Sequence, residues 1–185
     1  MKSVILTATL AALALAAGCA GYIWGTSVPE EYRTVAVPVF ENLTQVSELG
    51  PLVAQQTLRE FQREGTFKVA RPEDAAIEVQ GVLRKMDREG VSYDRGRGMR
   101  ATEYHYEILA EVTYVDKRNG KVLLERKGIK AETTFLTQND LLTGQKNAAT
   151  RIAQDIAVQV VNEALALPFV RSRKGGSGAV EGVQK

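Results

Sequence analysis

The chain has 185 residues, with 24 Lys and Arg against 22 Asp and Glu, so no global basic field points to nucleic acid. Hydrophobic residues make up 44% and charged residues 25%, which excludes a wholly disordered polymer and fits one globular domain. The single cysteine excludes an intramolecular disulfide.

Met1-Lys2 gives a basic start, and Val4 to Ala17 is apolar apart from Thr7 and Thr9. Ala16, Ala17 and Gly18 then place small residues before Cys19. This is the layout of a secretory signal over residues 1–18, and the run is shorter than the roughly 20 residues a membrane-spanning helix needs. Leu15-Ala16-Ala17-Gly18-Cys19 resembles the bacterial lipobox, in which the thiol is acylated, by palmitate among other chains, and becomes the first mature residue. The family pattern prefers Leu three residues before the cysteine, where this chain has Ala16. Two or more acyl chains anchor a protein stably where one does not. Ala20, rather than Asp, follows the cysteine, which by resemblance to the sorting rule of enteric bacteria implies the outer membrane.

Residues 19–32 read as a tether, broken by Gly21, Gly25 and Pro29. Arg33 to Phe40 alternates and is rich in Val, the pattern of a strand, with Pro38 placing it at an edge or facing outward. Glu41 to Thr44 reads as a turn. Pro51 to Glu64 reads as a helix, with Ala54, Leu58 and Phe61 on one face and Gly65 as its stop. Phe67 to Ala70 is a short extended piece.

Three longer strands are expected at Ala76–Asp87, Thr102–Asp116 and Lys121–Phe135. Period-two alternation puts Ile77, Val79, Gly81 and Leu83 on one face of the first. It puts Ile108, Ala110, Val112 and Tyr114 on one face of the second. Asn119-Gly120 is the strongest turn signal, because Gly supplies positive φ at little cost, and Gly128 points to a bulge. A closing helix spans about Asp140 to Leu165, with Thr137 and Asp140 as a capping pair and a stripe from Ala149 through Ile152, Ile156 and Val160. Residues 33–168 form the domain, and 169–185, rich in Gly, Ser and charge, read as a disordered tail. The order β-α-β-β-β-α gives an α+β two-layer sandwich: one mixed sheet of about four strands with two helices on one face.

Catalytic sets are missing from this pattern. His105, the only histidine, reads as a strand residue, and one histidine with one cysteine makes neither a zinc site nor a nucleophile pair. The expectation is no enzyme, no metal and no cofactor. The polar feature that stands out is the connection between the first two long strands, where Arg84, Lys85, Arg88, Arg95, Arg97 and Arg100 outnumber Asp87, Glu89 and Asp94. Arginines on a Gly-rich tip grip phosphate or carboxylate through forked hydrogen bonds, while a solvated loop would carry the same residues. Lys117, Arg118 and Lys121 pose the same question at the next turn.

Cys19 to Tyr22, Val35 to Asn42, the helix around Leu58-Arg59-Glu60-Phe61 and the strand from Ala76 to Gly81 together resemble the lipopolysaccharide-assembly lipoprotein family (LptE-like). The likeness covers most of residues 19–167, and the order and spacing of the motifs carry it. It implies a lipid-anchored outer-membrane protein on the periplasmic face, acting as a plug inside an LptD-like β-barrel that delivers lipopolysaccharide to the cell surface. Carried onto this chain, the resemblance implies lipopolysaccharide binding by Arg95, Arg97 and Arg100. The alternative is a lipoprotein subunit of another envelope secretion or assembly machine.

Overall fold

The computed structural model describes residues 28–94, 100–137 and 141–170, apart from the side chain of Arg100. Within them lie β1 (Thr34–Ala36), β2 (Glu41–Asn42), α1 (Leu49–Glu64), β3 (Lys68–Val69), β4 (Ile77–Asp94), β5 (Arg100–Asp116), β6 (Lys121–Leu136) and α2 (Leu141–Leu165). The architecture is the expected α+β two-layer sandwich. Its sheet has six strands rather than about four, in the order β3-β1-β4-β5-β6, with β2 pairing farther along β4.

The extra strands come from one segment. β1 stops at Ala36, before Pro38, and lies between β3 and β4 in parallel register, Val35 opposite both Val69 and Ile77. It is therefore not an edge strand. After Pro38 the chain returns to the sheet at Glu41 and Asn42, opposite Val82 and Leu83. The expected turn begins only at Asn42, whose side-chain carbonyl accepts from the backbone N–H of Thr44 at 3.0 Å while its amide donates to the Val46 carbonyl.

α1 begins two residues earlier than the sequence indicates, so Pro51 sits in its first turn, where a missing N–H still costs no helical bond. Gly65 ends it at φ 79°, its N–H returned to the Phe61 carbonyl. Phe40 is the joint between layers. A Cβ on Gly81 would lie 2.2 Å from its ring, and one on Gly50 would lie 2.5 Å from its carbonyl oxygen, so sheet and α1 both need glycine to close on it.

The alternation in β4, β5 and β6 holds. Ile77, Val79, Leu83, Ile108, Ala110, Val112, Tyr114, Ile129 and Ala131 are buried beneath the helices. Ile152, Ile156, Val160 and Ala164 of α2 meet them, joined by Ala148 where the sequence pattern had favoured Ala149. Asn119-Gly120 turns the chain with Gly120 at φ 70°, and Gly128 sits at φ 74° beside a register shift. Thr137 donates its hydroxyl to the Ala101 carbonyl; its expected capping partner, Asp140, lies outside the described residues. Phe169 stacks on Tyr32 with ring centroids 4.2 Å apart. No helix among the described residues is long and apolar enough to cross a membrane.

Candidate functional site

β4 runs far beyond its neighbours β1 and β2. β4 spans 18 residues and β5 spans 17, whereas β1 and β2 accompany β4 only as far as Leu83. From Lys85 to Asp94 the strand is paired with β5 alone, Met86 opposite Ile108 and Asp94 opposite Arg100. The long Arg-rich loop expected after Asp87 is thus mostly hairpin. Its sequence, polar on both faces, hides the strand, and cross-strand hydrogen bonding supplies what hydrophobic patterning does not.

The hairpin sorts its cations. Arg84 donates through Nη2 to Glu111 at 2.7 Å, which raises the guanidinium pKa and lowers that of the carboxyl. Lys85 pairs with Asp87 at 2.6 Å, which raises its pKa in turn. Arg88 faces the helix side and lies over the Tyr104 ring, 5.4 Å from its centroid. Arg95 and Arg97 lie outside the described residues, as does Cys19; Arg100 opens β5 at the far end of the hairpin. At the opposite end of the sheet, Arg118 is spoken for: it donates to buried Asp116 at 2.9 Å and covers the Tyr32 ring at 4.4 Å. Lys117 reaches Glu78 at 3.5 Å and the Pro72 carbonyl.

On the open face of the sheet His105, Glu107 and Glu132 bring donor atoms within 4.8 Å of one another. Lys130 already lies between the carboxylates, 2.8 Å from Glu107 and 3.3 Å from Glu132, and hydrogen bonding to Glu107 first and Glu132 next raises its pKa. This cluster is a cross-strand ion network centred on Lys130.

On the helix face, under the stretch of the hairpin where β4 has run past β1 and β2, lies a cavity of about 890 Å³. Met86, Tyr106 and Ile108 line it from the sheet, Leu49 and Leu52 from α1, and Ala149 and Ile152 from α2. Arg88 and Lys146 also line it, and neither has a carboxylate partner among the described residues. The sequence contains every one of these residues but no signal that joins residues 45–52, 86–108 and 142–152 around one space. Only the packing of the two helices does that.

The model of the LptE family, described as lipopolysaccharide-assembly, matches residues 32–164 of the chain. Among curated proteins none matches. Among solved structures, a candidate lipoprotein from Caulobacter crescentus superposes with a TM-score of 0.50 at 13% identity, covering 69% of this chain and 88% of that one. The rare lipoprotein B of Shewanella oneidensis gives 0.46 at 16%, covering 72% and 94%. The first of these likenesses speaks to the fold alone.

Proposed function

Because the chain belongs to the LptE lipopolysaccharide-assembly family, we propose that it is a non-enzymatic outer-membrane lipoprotein, anchored through acylated Cys19, that assembles with an LptD-like β-barrel and binds lipopolysaccharide in transit. The observation that carries this is the family match over residues 32–164, which takes in the whole sandwich from Tyr32 to the last turn of α2. The signal segment and lipobox at residues 1–19 support the anchor. The open sheet face, studded with pairs such as Arg84–Glu111 and Lys130–Glu107, suits the polar lumen of a wide barrel.

Arg95, Arg97 and Arg100 contribute the phosphate contacts in this proposal, since a guanidinium forks two hydrogen bonds onto an anion. Arg100 opens β5 at the end of a long hairpin. Two measurements test the proposal. Purification of the acylated protein from solubilised membranes is expected to bring down a large β-barrel; recovery without one overturns the partner. Replacing Arg95, Arg97 and Arg100 together with Ala is expected to weaken lipopolysaccharide binding at moderate salt with an unchanged melting temperature, and undiminished binding removes these residues from the site.

A further inference from the structure

We infer that the cavity beneath the β4–β5 hairpin is an acyl-chain site, taking one hydrocarbon chain of an anionic amphiphile while Arg88 and Lys146 hold its charged head. The volume, about 890 Å³, falls in the range of roughly 300–1,000 Å³ that ligand clefts occupy. Its accessible lining is apolar where a chain would lie: Leu52 from α1, Met86 from the hairpin and Leu142 and Ala149 from α2, over a buried floor of Leu49, Ile108 and Ile152. Polar head groups alone would leave that surface unused, and an uncharged hydrocarbon would leave two cations unanswered.

The charge points the same way. Arg88 and Lys146 are exposed cations against one lining carboxylate, Glu48. The N-terminal segments of both α1 and α2 line the space, and the partial positive charge at a helix N-terminus favours an anion there. A separate observation is the apolar surface at the same end of the molecule. Val91, Tyr93, Leu136, Leu141 and Leu142 are 44–59% exposed, and Leu142 itself lines the cavity. Leu142 thus carries apolar surface from the cavity to the outside. The inference rests on the preceding proposal for lipid being the ligand at hand, and its site differs from the arginines at the hairpin end.

The test uses the full chain in phosphatidylcholine nanodiscs with dodecyl phosphate carrying a photoreactive diazirine at the chain end. Light-driven adducts are expected on Leu52, Met86 or Leu142 and to disappear in Ala149→Phe, which fills the slot. Because Arg88 and Lys146 are surface groups, the Arg88→Gln/Lys146→Gln variant remains informative if Ala149→Phe fails to fold; about a tenfold loss of affinity is expected. Shortening the chain is expected to weaken binding about fourfold per methylene removed, and inorganic phosphate alone is expected not to compete. Adducts confined to the hairpin end or to bulk lipid, or labelling unchanged in both variants, overturn the inference. The Arg95/Arg97/Arg100→Ala variant separates the two readings. If it loses lipopolysaccharide while cavity labelling persists, both sites stand. If the wild type labels in the cavity but binds no lipopolysaccharide, the earlier proposal falls and this one holds.

Discussion

Asp116 closes β5 with 1% of its surface exposed, yet its charge is well held. Arg118 donates to it from backbone and guanidinium, and Tyr32 and Asn119 donate from their side chains. The Arg118 hydrogen bond above all, against the opposing effect of burial, brings its pKa down to about 2. A carboxyl depressed in the folded state stabilises at pH values above its unfolded pKa, near 3.9, and that contribution is lost as pH falls toward about 2. Asp116→Asn is therefore expected to lower the urea midpoint at neutral pH and to lose less further stability than wild type between about pH 4 and pH 2. A wild-type midpoint that falls no faster than the variant's over that interval counts against the assignment. The residue scale also shows where sequence stops. Arg118 and Arg88 are the same residue type in similarly polar surroundings, but one is paired to buried Asp116 and the other overhangs a cavity. Nothing local to either distinguishes them.

Elements were legible where one face is dry. α1, α2, β5 and β6 follow from periodicity because each alternates or spirals against the core. The far half of β4 did not, since Asp87 to Asp94 carries charge on both faces and is strand only by pairing with β5. β2 escaped notice for a related reason: two residues make no period. The joint these elements share is Phe40, which gives a prediction at this scale. Gly81→Ala puts a methyl into the Phe40 ring from 2.2 Å, and overpacking of this kind costs roughly 1–3 kcal/mol. A urea midpoint within error of wild type would show that the ring moves aside freely. Ile156, fully buried on the sheet-facing side of α2, offers the complementary test. Truncation to Ala is expected to cost about 2–5 kcal/mol, read from the same unfolding curve.

The molecule as a whole has two unlike ends. At one, the chain enters through buried Val28 and a single turn at Glu30–Tyr32, which is tied to Asp116, Arg118 and Phe169. At the other are the cavity, the exposed apolar side chains and the end of a hairpin whose 18-residue strand extends about 55 Å at roughly 3.3 Å per residue. If Cys19 is held in a bilayer, the entry end stays near it and the hairpin end is free to reach away. Fluorophores at Asn119 and Ser92 are expected to differ accordingly, the first quenched by brominated lipid in vesicles and the second spared. Equal quenching would mean that the body lies flat on the membrane.

The sequence by itself determined the two-layer α+β class, the helix faces, the Asn119-Gly120 turn and the family resemblance, because each is written in local periodicity, special backbone angles or ordered motifs. Tertiary structure alone decided that the sheet has six strands, which cations are spent in ion pairs, and that a cavity lined by two cations with no carboxylate partner among the described residues lies between the helices and the hairpin. These depend on which distant segments meet, and a contact between residues 50, 86 and 149 has no trace in the neighbours of any of them.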